Sequence, residues 1–215
     1  MRMLRLNMLK TRRYTMPPRT DHDRAGARDV YANEAQRSAA GRLGLWLLCL
    51  VLAMLFGAVI LLLLILRFDG NTWPEHLPPL PWQVWLSTGL LLLESVVLMA
   101  TVKAKSTRGV KTLLCWAMVV AVAFLASQVW AWVVWHDAVI GVEARRLALT
   151  SLYVVTGVHM AHVLGGLLPL GMLSRHAVGQ AWNERRRAQL RLTANYWHFL
   201  DAVWIVLVVT LLIVL

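Results

Sequence analysis

Charge is what this chain has least of. Only 15% of its 215 residues are Asp, Glu, Lys or Arg, while 59% are hydrophobic, a balance that excludes an ordinary soluble domain of this length. Cysteine is nearly absent. Cys49 and Cys115 fall inside apolar segments, with neither metal-ligand spacing nor a loop position suited to a disulfide, so both read as small apolar residues. No internal repeat recurs, which argues against an inverted-repeat transporter. The N-terminus lacks the uninterrupted apolar core of a secretory signal; residues 1–20 instead carry five Arg, one Lys and no acid, as expected of a cytoplasmic tail lying along lipid headgroups and disordered in part.

What is present is apolar length. Segments 43–66, 82–102, 112–135, 147–173 and 195–215 each reach the roughly 20 residues needed to cross a bilayer. Inside lipid the backbone must satisfy its own hydrogen bonds, so runs of this length predict helices. The fold class is therefore an all-α, polytopic membrane protein: a basic tail over 1–42 and a five-helix transmembrane domain over 43–215. The 22 Lys and Arg lie asymmetrically. The tail holds 10 and the second and fourth loops hold 4 and 5, whereas the first and third loops hold 1 and 2. This bias predicts a cytoplasmic N-terminus and an outer C-terminus. It also accounts for the net charge of +11 with no nucleic-acid partner. Trp73, Trp82, Trp85 and Trp135 fall at the expected outer boundary and Trp46, Trp116, Trp182 and Trp197 at the inner one, leaving Trp204 deep. Pro74, Pro78, Pro79 and Pro81 predict a stiff, extended strap between the first two helices.

The polar residues within the spans are few: Glu94, Gln128, His159, His162, His198 and Asp201. An ionised side chain near the bilayer centre costs about 2.5 to 3.5 kcal/mol on insertion scales, so each calls for a partner or a wet cavity. Counting the rise along each helix puts Glu94, His162 and Asp201 in one layer, which predicts a buried polar network of Glu94, His159, His162, His198 and Asp201. In the fourth helix Gly157, Ala161 and Gly165 recur every four residues, a stripe expected to admit a neighbouring helix closely, with the two histidines about 130° away. A metal site needs three or four ligands, and no further His or Cys shares the layer. A haem would need axial histidines at matched depths on different helices. No Ser or Cys has a base beside it. Two readings remain from the residues: hydrogen-bonded pairs that fix helix register, or a proton-handling or partner-facing role.

Two stretches resemble a known family. Thr156-Gly157-Val158-His159-Met160-Ala161-His162-Val163-Leu164-Gly165-Gly166 is similar to the Thr-Gly-x-His-x-x-His-x-x-Gly-Gly pattern of subunit III of the haem-copper oxidases. Tyr196-Trp197-His198-Phe199-Leu200-Asp201-Ala202-Val203-Trp204 is similar to its Tyr-Trp-His-Phe-x-Asp-x-x-Trp pattern. Weaker likeness runs through Arg42 to Trp46, Ser87-Thr88 to Glu94-Ser95, and Phe124 to Gln128. Five helices resemble the short bacterial form, which lacks two N-terminal helices of longer members.

The resemblance implies a chain without redox centres in a bacterial inner membrane, beside the catalytic haem-copper subunit I and other oxidase subunits. Haem and copper would sit in those partners, and phospholipid would be bound here. It further implies roles in stabilising the catalytic subunit, supporting proton uptake and easing oxygen or lipid access. Gln128, Tyr196, Trp197 and Trp204 match the family pattern. Two carboxylates usual in such relatives are missing, their positions being Leu52 and Ala131. Glu94, expected near the depth of Leu52, is a candidate replacement for the first. The missing acids keep open an accessory subunit of a nitric oxide reductase or of a specialised oxidase. A stand-alone membrane enzyme or transporter using the buried His/Asp cluster is the competing class.

Overall fold

The computed structural model describes residues 21–68, 79–139, 146–179 and 183–214, which form α1 (Asp21–Phe68), α2 (Gln83–Lys103), α3 (Thr107–Val139), α4 (Arg146–Gly179) and α5 (Glu184–Val214). All five are long and apolar enough to cross a membrane, and no strand occurs among the described residues. The expected segments are all helical. Except for α2, the helices outrun them, because an apolar run ends at its first charged residue whereas a helix continues into the headgroup region. Part of the expected tail, residues 21–42, is helical as the start of α1. Residues 1–20, most of the proline strap, Arg145 and Trp182 lie outside the described residues.

The chain divides into two units, residues 1–40 and Gly41–Leu215; the second is the bundle. Within it α2, α3, α4 and α5 form a closed ring, each packed on the next and α5 returning to α2. Local chemistry sets the ring's corners. Ser106 caps α3, its Oγ accepting the Gly109 amide at 3.0 Å, and Asn183 caps α5 through the Arg186 amide at 3.0 Å, each satisfying an amide that the helix leaves free. The Arg187 guanidinium then donates to the carbonyls of Ala104 and Lys105 at 3.3 and 3.4 Å, tying the start of α5 to the turn between α2 and α3.

The buried stripes run at three- and four-residue steps: Val84, Ser87, Leu91, Glu94, Leu98 and Thr101 on α2, and Leu152, Val155, His159, Val163, Gly166, Leu170 and Leu173 on α4. This 3.5-residue average keeps one face toward the ring. The hydroxyls of Ser87 and Thr88 return to their own helix, donating to the Val84 carbonyl at 2.9 and 2.8 Å, so neither is left free in the span. α1 is the outlier. Among the described residues none of its Cα atoms lies within 8 Å of another helix's, and it buries only a narrow seam of Cys49, Leu52, Phe56 and Leu63. Reach compensates for the gap: the Phe56 ring meets His159 and His162 of α4 edge-on at 6.0 and 5.7 Å.

One expectation needs correction. The stripe of Gly157, Ala161 and Gly165 is not one contact face. A Cβ on Gly157 would lie 3.3 Å from Trp132 of α3, but one on Gly165 would meet nothing within 4 Å, and Ala161 is exposed. A strict four-residue repeat advances about 40° per step around a helix, so the stripe drifts off the buried face within two turns. Close approach falls instead at Gly166, where a Cβ would sit 3.1 Å from Tyr196 and 3.3 Å from Trp197 of α5. The tryptophans also divide. Trp46, Trp82, Trp85 and Trp116 are exposed, as interfacial anchors should be, whereas Trp135 and Trp197 are buried in the bundle, because each lies on its helix's ring-facing stripe.

Gly166→Leu is expected to lower the thermal unfolding temperature and membrane yield of the protein sharply, and Gly165→Leu to leave both near wild type. Equal losses in a detergent melt of the two variants would contradict this packing.

Candidate functional site

The polar residues of the spans gather around one stretch of α5, Tyr196 to Trp204. A turn of helix points successive residues to different neighbours, and the stretch uses nearly every direction. Tyr196 donates its hydroxyl to the His162 carbonyl of α4 at 3.1 Å. Trp197, fully buried, lies over Gly166 of α4. His198 Nδ1 and Ser95 Oγ of α2 are hydrogen-bonded at 2.6 Å, and the same nitrogen is 3.8 Å from Asp201 Oδ2. Trp204 donates Nε1–H to Thr88 Oγ1 of α2 at 3.1 Å. Its ring also meets Phe124 of α3 edge-on at 5.7 Å and His159 of α4 at 5.2 Å.

The five residues of the expected network do not form one hydrogen-bonded group. His162 turns back on its own helix, Nδ1 bonding the Val158 carbonyl at 2.7 Å. His159 is buried with neither ring nitrogen hydrogen-bonded, enclosed by Phe56, Phe124 and Trp204 with centroids 6.0, 6.4 and 5.2 Å away. Glu94 is 1% exposed and Asp201 6%. None of their four oxygens has a hydrogen-bond partner among the described residues. What the structure brings together is therefore Ser95 of α2 with His198 and Asp201 of α5. The histidines of α4 stand apart, their ring nitrogens directed into an aromatic box or onto their own backbone. Glu94 is buried, so its carboxyl does not face lipid.

Gln128 fills a separate place, donating Nε2–H to Ser87 Oγ and so linking α3 to α2. Beside it, Ala131, Trp132, Trp135, Thr156 and Trp204 line a cavity of about 30 Å³, and the small side chain of Ala131 is one of its walls. Among the described residues no group of three or more His, Cys, Asp or Glu could hold a metal ion. A larger groove of about 520 Å³ opens between α4 and α5 near the α5 N-terminus. Met172, Leu173 and Leu192 form its apolar part, and His176, Arg185 and Arg186 its polar part.

Ser95, Thr88, Gly166 and Phe56 were not singled out by the sequence as site residues. The first two stood within stretches of family likeness, and Gly166 would have followed from the heptad phase of α4. Phe56 is four residues beyond Leu52 on the same narrow stripe, but nothing local marks its reach across to α4.

A ring of four lipid-length helices with a fifth beside it, polar side chains turned inward, defines a polytopic membrane protein. The sequence profile of cytochrome c oxidase subunit III matches residues 70–214, and the chain belongs to that family. It is 27% identical over 171 residues to cytochrome c oxidase subunit 3 of Thermostichus vulcanus, covering 77% of this chain and 83% of that one. It is also 27% identical over 180 residues to a protein of Staphylococcus saprophyticus described as a probable quinol oxidase subunit 3, covering 79% and 88%. A cytochrome c oxidase subunit 3 of Corynebacterium diphtheriae is 32% identical over a shorter stretch of 62 residues.

The two kinds of histidine should respond differently to replacement. His159→Phe removes two unpaired nitrogens from an aromatic box and is expected to leave thermal stability unchanged or raised. His198→Leu breaks the bond to Ser95 and is expected to cost about 1 kcal/mol. Melting of both variants in detergent checks this; a larger loss for His159→Phe would contradict it.

Proposed function

We propose that this chain is a non-catalytic subunit of a haem-copper terminal oxidase in a bacterial inner membrane, oriented with its N-terminus in the cytoplasm and its C-terminus outside. It binds beside the catalytic subunit I, which with the other oxidase subunits holds the haem and copper, and it stabilises that subunit in the bilayer. The observation that carries the reading is how the family's two patterns are spent. Tyr196, Trp197, His198 and Trp204 are each engaged in joining α5 to another helix, and His159 is packed among aromatic rings. A site that bound and turned over a substrate would need converging polar groups left free at a cavity.

Two finer roles have support at separate places. The groove between α4 and α5 combines an apolar slot with a basic rim, which suits a phospholipid whose chains lie along Met172 and Leu173 and whose phosphate lies near His176 and Arg185. The acids Glu94 and Asp201, with half-buried His198 toward the α5 N-terminus, suit a part in proton uptake from the cytoplasmic side.

Affinity purification of the tagged full chain from its native membrane in a mild detergent tests the assignment. A haem-containing large subunit is expected to co-purify, and a haem-free, monodisperse protein with an activity of its own would replace this reading with the stand-alone class. In the assembled complex, Asp201→Ala is expected to reduce the amount of complex recovered by several-fold while turnover per haem stays close to wild type. Full assembly with lost proton uptake would reverse that order.

A further inference from the structure

Beside Ala131 the bundle leaves a cavity of about 30 Å³, and its walls are not all apolar. Gln128, Ala131 and Trp135 follow one another on α3 at steps of three and four residues, so they share a face, and all three line the cavity with Thr156 of α4. Long side chains on a helix lean toward its N-terminus, a direction that carries the Trp135 indole toward Ala131. Trp135 is 8% exposed, and its buried Nε1–H has no acceptor among the described residues. Gln128 donates Nε2–H to Ser87 of α2, which leaves its amide oxygen to accept. Thr156 spends its O–H on the carbonyls of Leu152 and Tyr153, and its oxygen is likewise left to accept. One donor and two acceptors therefore border one space.

We propose that this cavity is a binding site for one water molecule, which accepts the Trp135 Nε1–H and donates to Gln128 Oε1 and Thr156 Oγ1. The site stands whether or not the chain docks on an oxidase. Its volume is sufficient, since a water needs about 10 to 15 Å³ of such space. Its chemistry is suited too: an unpaired buried donor is costly, and about three hydrogen bonds are the usual complement of a buried water. Other partners within the bundle are already committed. Tyr153 meets Trp135 ring to ring, with 5.5 Å between centroids, and Trp204, another wall of the cavity, gives its own Nε1–H to Thr88. The water completes a hydrogen-bonded chain from Ser87 of α2 through Gln128 and Trp135 of α3 to Thr156 of α4. It thus adds a polar link where α3 and α4 otherwise meet through the rings of Trp132, Trp135 and Tyr153. Ala131 sets the size of the site, because a larger apolar side chain there would take the water's room.

Nuclear magnetic resonance of the full chain in lipid nanodiscs, with its tryptophan indoles ¹⁵N-labelled, tests the site. Trp135→Phe and Trp197→Phe identify the two signals that matter. A cross-peak between water and the Trp135 indole proton is expected, with the sign of a water that tumbles with the protein. Trp197 is the internal control, since its Nε1–H is also buried and unpaired among the described residues but the residue does not line the cavity; it is expected to give no such peak. In Ala131→Val the Trp135 cross-peak is expected to vanish and the indole resonance to shift, with a lowered thermal midpoint because methyl groups replace a bonded water. No water cross-peak at Trp135 in the wild type, one of equal strength at Trp197, or one that persists in Ala131→Val would overturn the site. A raised midpoint in Ala131→Val would also overturn it, showing a dry cavity that the methyls merely fill. The wild-type comparison of Trp135 with Trp197 decides by itself if Ala131→Val does not fold.

Discussion

The hydrogen bond from Trp204 to Thr88, together with the ring contacts of the same indole with His159 and Phe124, is the contact on which the rest of the bundle depends. In lipid, apolar side chains gain little by preferring one another over acyl chains, so packing and hydrogen bonds must supply helix orientation. One side chain on α5 here touches α2, α3 and α4. The same helix turns Tyr196 and Trp197 onto α4 and His198 onto α2, so its rotation is fixed at three levels. α1, which lacks such a polar handle, keeps its backbone at a distance and is held by Phe56.

This constraint sorts three histidines of the spans by environment. His159 serves as an aromatic ring, His162 closes on its own helix, and only His198 reaches an acid and partial exposure together. The packing also bears on the two acids missing at Leu52 and Ala131. Leu52 has become part of the buried seam of α1 and Ala131 the wall of a small cavity.

The five spans were legible in the sequence because their length and composition admit one solution in a bilayer. Depth was legible too: the rise per residue put Glu94 and Asp201 in one layer, and Ser95 beside the first is bonded to His198, one turn from the second. Rotation was not. His162 shares that layer but points elsewhere, since depth says nothing about azimuth. The glycine stripe of α4 misled for a related reason, since a four-residue repeat and a 3.5-residue buried face part company within two turns, and Gly166 rather than Gly165 meets α5. Ser95 was legible only as a neighbour of Glu94, because its bond to His198 joins residues 103 positions apart.

A double-mutant cycle across α2 and α5 measures the governing contact directly. Thr88→Val, Trp204→Phe and the pair, compared by thermal or denaturant unfolding of the full chain in detergent, give the coupling between the two side chains. A coupling of about 0.5 to 1.5 kcal/mol is expected for a buried interhelical hydrogen bond, with the Trp204→Phe single variant also losing order in α5. Strictly additive losses would mean that Trp204 does not hold α2 through Thr88, and the account of α5 as the helix that orients the others would fail.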